Sequence, residues 1–127
     1  MDGEGPTRRD GGRHQRGQQA EQDACAHLTG HGLRLLTTNY RCRGGEIDLV
    51  MEDGRTLVFV EVRMRRHQRF GGALESIDGH KRRRLLVAAR HYLQACAKQR
   101  NARFDVVTVD GQGRLEWIRN AFEADAW

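Results

Sequence analysis

Two runs of alternating apolar residues flank Asp53-Gly54: Ile47, Leu49 and Met51 precede it, and Val58, Val60 and Val62 follow. A period of two marks a strand with one covered face, and Asp-Gly accepts the positive φ angles of a tight hairpin turn. The pattern predicts an antiparallel hairpin from Gly45 to Arg63. With Asp53-Gly54 as a two-residue loop, the expected register sets Glu52 opposite Arg55, Val50 opposite Leu57, Asp48 opposite Phe59 and Glu46 opposite Glu61. One face then carries Ile47, Leu49, Met51, Val58, Val60 and Val62. The other carries Glu46, Asp48, Val50, Leu57, Phe59, Glu61 and Arg63, with Asp48 diagonal to Glu61 at roughly 7–8 Å.

Upstream, Ala20, Ala24 and Leu28 step by four, which predicts a helix from Gly17 to about Gly32, ended by Gly30 and Gly32. Leu33 to Tyr40 reads as a first strand, and Arg41-Cys42-Arg43-Gly44-Gly45 as a basic turn into the hairpin. Downstream, Met64 to Gly72 is too polar and glycine-rich for a core element and reads as a mobile loop. Asp78 is a good N-cap for a helix from about Gly79 to Gln99, with Leu85, Ala89, Tyr92, Leu93 and Cys96 on one stripe. Arg103–Asp110 and Arg114–Arg119 are two further strands around Gly111-Gln112-Gly113. The tail from Asn120 offers Phe122 and Trp127 for docking. Residues 1–16, with Met1 their sole large apolar residue, are expected to be a flexible tail. Residues 17–127 then form a single domain, as the length of 127 residues allows.

Charge sharpens the picture. Lys plus Arg is 22 against 17 for Asp plus Glu, a net +5. Between Arg63 and Arg84 stand eight basic and two acidic residues, so this segment is net +6 and the rest of the chain −1. The excess directly follows the carboxylate face, where a polyanion would lie if the acids act on it. Arg65, Arg66, Arg69, Lys81, Arg82, Arg83 and Arg84 are accordingly candidate nucleic-acid contacts, set against the plainer reading of a solvated arginine-rich surface. Val50, Leu57 and Phe59 share a face with the acids, so that face is expected to be covered, with the carboxylates at its rim. Acids crowded there resist ionisation unless a cation joins them. A hard divalent ion with oxygen ligands suits them, whereas a solvated hairpin face is the alternative. An alanine-faced first helix approaches a sheet closely, which brings Glu21 toward the acidic end. Cys25, Cys42 and Cys96 show neither metal-ligand spacing nor a disulfide framework. No signal pattern or span-length apolar run occurs, so a cytoplasmic protein without a membrane partner is expected.

The strings Gly45-Glu46-Ile47-Asp48-Leu49-Val50, Val58-Phe59-Val60-Glu61-Val62-Arg63, Phe70-Gly71, Lys81, Arg103-Phe104-Asp105-Val106-Val107 and Asn120-Ala121-Phe122 closely resemble the YraN-type uncharacterised bacterial proteins, over roughly residues 17–122. That family is similar to the PD-(D/E)XK nuclease superfamily and, in fold, to archaeal Holliday-junction resolvases. The resemblance implies an α/β fold with a restriction-endonuclease-like α-β-β-β-α-β core, a mixed central sheet flanked by helices. It implies Asp48 and Glu61 as metal ligands, Glu21 as an accessory acid, and position 63 as the motif's lysine. One or two Mg²⁺ or Mn²⁺ ions, held by Asp48, Glu61 and the Val62 carbonyl, would then assist hydrolysis of phosphodiesters in structured or branched DNA or RNA, with Arg63 stabilising developing charge. Arg63 departs from the pattern, because arginine stays protonated where a lysine can release its proton. The alternative is a non-catalytic nucleic-acid-binding protein on a degenerate nuclease scaffold. A resolvase-like role implies a homodimer, since junction cleavage needs two opposed sites.

Overall fold

The computed structural model describes residues 4–65 and 79–122, with side chains described from Gly17 onward. Helix α1 spans Glu4–Gly30, strand β1 Arg34–Cys42, β2 Gly45–Asp53, β3 Thr56–Arg65, helix α2 Gly79–Ala95, β4 Ala102–Asp110 and β5 Leu115–Phe122. The sheet order is β1-β2-β3-β4-β5. Neighbours are antiparallel except β3 and β4, which are parallel because α2 carries the chain back across the sheet between them. This is the expected α-β-β-β-α-β core with β5 added at one edge. No helix among the described residues is long and apolar enough to cross a membrane.

Each helix covers one face. Ala20, Ala24 and Leu28 of α1 pack on Leu49, Met51, Val58, Val60, Val107 and Val109. Leu85, Ala88 and Ala89 of α2 pack on Val50, Leu57, Phe59 and Phe104, with Tyr92, Leu93 and Cys96 at the margin. The face holding the acids is thus covered, as its apolar residues required. Helix α1 closes with paired bonds, Gly32 N–H to Thr29 O at 3.1 Å and Leu33 N–H to Leu28 O at 3.1 Å. Gly32 takes the φ of +97° that such a close needs, and Leu33 folds back into the same cluster as Leu28.

Four expectations are corrected. The hairpin register is shifted by two: Val50 opposes Phe59 and Asp53 opposes Thr56, leaving Gly54 and Arg55 as the loop. Gly54 alone supplies a positive φ there, +61°, and a turn with its glycine first requires this placement. A two-residue shift leaves every face unchanged, but the next step of the register sets Asp48 level with Glu61 instead of diagonal to it. Ile47 joins the α2-side cluster, apart from Leu49 and Met51, because pairing with β3 ends at Leu49 and β2 then leans against the helix. Helix α1 begins at Glu4, not Gly17; once a packed half has nucleated a helix, each added residue gains a hydrogen bond without needing an apolar face. Strand β5 runs on to Phe122, which stacks on Phe104 at 4.9 Å between ring centroids. Asp78, Trp127 and nearly all of the Met64–Gly72 loop lie outside the described residues.

Edge strand β1 is irregular. Its register slips between Leu35 and Thr37, and Asn39 holds a φ of +51°. On the α1 side, Asp105 is 1% exposed. It accepts hydrogen bonds from Arg103 Nε (3.0 Å) and Nη2 (3.1 Å), Trp117 Nε1 (2.9 Å) and the Asn120 N–H (2.9 Å). Arg103 also reaches Asp53 at 3.0 Å, so one carboxylate ties β4 to β5 and, through Arg103, to the hairpin turn. Removing one member of a buried ion pair strands the other, and Asp105→Ala is expected to cost roughly 3–5 kcal/mol, read as a lower urea midpoint.

Candidate metal centre

The site lies where β2 and β3 part. Their ladder ends at the Leu49–Val60 pair, while β3 stays in the sheet through β4 as far as Arg65 opposite Asp110. Past the last pair, the Val62 N–H donates to Asp48 Oδ2 at 2.8 Å, a side chain standing in for the missing ladder bond. Asp48 and Glu61 are hydrogen-bonded to each other, and Glu61 is only 5% exposed. Burial, reinforced by the charge of Asp48, pushes the Glu61 carboxyl up to about 8, with Lys81 opposing. Burial likewise raises Asp48, against the Val62 N–H and the bond to Glu61. Near neutral pH the metal-free pair therefore shares a proton.

Two cations face Glu61 Oε2: Lys81 Nζ at 3.2 Å and Arg63 Nη1 at 3.7 Å. Lys81 comes from the first turn of α2, one stripe step before buried Leu85. The rest of the basic row disperses. Arg82 lies 5.2 Å over the Phe122 ring, Arg83 is exposed, Arg84 approaches Glu46 at 4.0 Å, and Arg65 pairs with Glu116 at 2.8 Å. Arg66 and Arg69 lie outside the described residues.

Glu46, grouped with the acids on the expected face, turns to Arg41 and Arg84, although its charge still raises Asp48. Among the described residues no group of three His, Cys, Asp or Glu is placed to hold a metal. The carboxyls brought together on the acid face are Asp48 and Glu61. Glu21 accepts a hydrogen bond from Asn39 Nδ2 at 3.3 Å. Asn39 falls between the Thr38–Leu49 and Tyr40–Ile47 pairs, level with Asp48, so Glu21 is held at the height of the acids from the α1 side. Sequence reasoning missed Asn39, because nothing in a strand pattern announces a left-handed residue. It also missed Thr108, which is 1% exposed, pairs with Arg63 across the ladder and has an Oγ1 with no hydrogen-bond partner among the described residues. Its break in the run Val106-Val107-Thr108-Val109 was the available signal.

Fold and site together define a mixed α/β protein whose central strands part at a proton-sharing carboxylate pair flanked by cations. The chain belongs to the uncharacterised protein family UPF0102, whose model matches residues 20–109. This segment contains Glu21, Asp48, Glu61 and Lys81. The chain is similar to a UPF0102 protein of Pseudomonas paraeruginosa (59% identical over 116 residues, 86% of this chain and 93% of the relative). A second, from Pseudomonas entomophila, is 56% identical over 113 residues, covering 84% and 92% of the two chains. A third, from Pseudomonas fluorescens, is 51% identical over 113 residues, covering 87% and 94%.

The raised Glu61 carboxyl sets a pH dependence. Above the ordinary value of 4.5 and below about 8 the folded chain keeps a proton that the unfolded chain releases, so stability falls as pH rises through that window. Glu52, held low by Arg34 and Arg100, changes only below it. The urea midpoint of the metal-free protein is expected to fall between about pH 5 and 8, and Glu61→Gln to flatten that fall. A midpoint that rises with pH in both proteins would contradict the shared proton.

Proposed function

We propose that this chain is a Mg²⁺- or Mn²⁺-dependent endonuclease that cleaves phosphodiester bonds in structured or branched nucleic acid. The observation that carries the reading is the Asp48–Glu61 pair: Asp48 accepts the Val62 N–H at 2.8 Å, Glu61 is 5% exposed beside Lys81 and Arg63, and burial raises both carboxyls. Two carboxylates with waters completing the shell is the ligand set Mg²⁺ commonly takes. Asp48 and Glu61 would hold the ion, with the Val62 carbonyl as a third oxygen. When bound, such an ion polarises a phosphoryl oxygen and acidifies a water. The Val62 N–H keeps the Asp48 carboxylate oriented. Arg63, permanently protonated, and Lys81 present two positive charges beside Glu61, where a phosphate brought to the acids gathers negative charge.

The arrangement supports kinship with PD-(D/E)XK nucleases, with one substitution of roles. Position 63 is arginine here, and the ammonium nearest the acids comes from α2 as Lys81. Glu21, held by Asn39, is the accessory acid of this reading. Cutting both strands of a junction would further require a homodimer. A second reading, nucleic-acid binding without turnover, draws on one observation: Glu61 is already satisfied by Lys81, Arg63 and the shared proton, so the site closes without an ion.

Calorimetric titration separates the two. Mg²⁺ or Mn²⁺ is expected to bind the wild type and not Asp48→Ala, and metal-dependent cleavage of a branched DNA or a structured RNA to vanish in Asp48→Ala and in Glu61→Ala, both still folded by circular dichroism. Lys81→Ala is expected to lower kcat by about 10²–10³. Metal-dependent cleavage that survives loss of either carboxylate would reject the nuclease reading. Binding of nucleic acid without metal uptake or cleavage would establish the second.

A further inference from the structure

Beside the acidic pair, Arg41 and Arg84 converge on Glu46, and Arg43 stands in the adjoining turn. Arg41 is the penultimate residue of β1, that turn leads into β2, and Arg84 is on α2. The turn is pressed against the helix: a Cβ at Gly45 would lie 2.5 Å from the Arg84 carbonyl oxygen and 2.7 Å from the Ala88 nitrogen. Gly44, at φ +85°, bends the chain under Val87. Any side chain at Gly45 would push the basic turn off the basic helix.

Glu46 sits between them, with Oε1 3.6 Å from Arg41 Nε and 4.0 Å from Arg84 Nη2. One carboxylate thus serves two guanidiniums, and Arg43 is exposed beside them, so the group has an excess of positive charge. Arg41 keeps 73% of its side chain in solvent, and exposed pairs at such distances contribute little to folding. Their planar forks match phosphate oxygens well. Glu46 is two residues from Asp48, about 6.6 Å along the strand, and neighbouring phosphodiesters of a nucleic-acid strand follow one another at a comparable distance. On the far side of the acids, Arg63 faces Glu61.

We propose that Arg41, Arg43 and Arg84 clamp the nucleic-acid backbone on the β1–α2 side of the acidic pair, holding the phosphates that neighbour the one at Asp48 and Glu61. The clamp rests on the nuclease-like reading above and assigns it a direction. The strand crosses the end of the sheet from β1 over β2 to β3, with Arg41 and Arg43 upstream of the acids and Arg63 beyond them.

The test is fluorescence anisotropy with a labelled four-way DNA junction and, separately, a labelled RNA hairpin, in EDTA to prevent cleavage, from about 50 to 200 mM salt. The double variant Arg41→Ala/Arg43→Ala is expected to weaken binding of the preferred probe at low salt and to reduce the slope of log K against log salt by about two, near one for each phosphate no longer neutralised. Arg55→Ala, in the hairpin turn at the opposite end of the sheet, serves as the control and is expected to leave both unchanged. Both replaced arginines are exposed, so the melting temperature should hold. Salt-dependent binding by the wild type with an unchanged slope in the double variant overturns the clamp and leaves the nuclease-like reading standing. A wild type that binds neither probe in a salt-dependent way overturns the clamp and the reading together.

Discussion

Two carboxyl groups with little solvent between strands that have just separated impose the main constraint on this molecule. In water, Asp48 and Glu61 would both ionise and repel. Held together under burial, they ionise only as far as their surroundings compensate. The surroundings are arranged for that: the Val62 N–H on Asp48, Lys81 and Arg63 on Glu61. The parting of β2 from β3 frees the Val62 N–H, and the crossover that makes β3 and β4 parallel returns the chain through α2, whose first turn delivers Lys81. Topology and electrostatics meet at one point.

The scaffold divides its labour by face. Toward α1, small alanines on the helix meet Leu49, Met51 and the strand valines in close packing, and buried Asp105 accepts four hydrogen bonds that tie β4 to β5 away from the acids. Toward α2, larger aromatic residues fill the space, with Phe59, Phe104, Tyr92 and Phe122 in mutual contact. Glu61 meets Lys81 at the first turn of α2.

How much of this was legible in the sequence follows from which signals are periodic. The hairpin, its two faces and both helix stripes were readable, because alternation and four-residue steps survive small errors of alignment. The register was not, because it depends on which residue of the Asp53-Gly54-Arg55-Thr56 stretch takes the positive φ, a choice made by turn geometry alone. The pairing of Asp48 with Glu61 survived that error because a two-residue slip preserves faces. Ile47 broke its alternation because a third element, α2, pulled the strand end over. Lys81 was visible as a cation but its role was not: only the angular position of α2 separates it from Arg82, Arg83 and Arg84. Asn39 takes its place from surroundings that no local pattern encodes, whereas Thr108 announced itself only as a break in a valine run.

Strand β1 carries a last implication. An edge strand of nine residues that is largely exposed is a template for adding another strand, and long regular edges invite fibrous self-association. Here the slip between Leu35 and Thr37 and the left-handed Asn39 put kinks into the row of free amide and carbonyl groups, and Arg34 and Arg41 flank it with charge. The same Asn39 that holds Glu21 thereby blunts the edge. A second copy could extend the sheet through β1 in regular register only by straightening the strand at Asn39, the residue whose side chain also bonds Glu21.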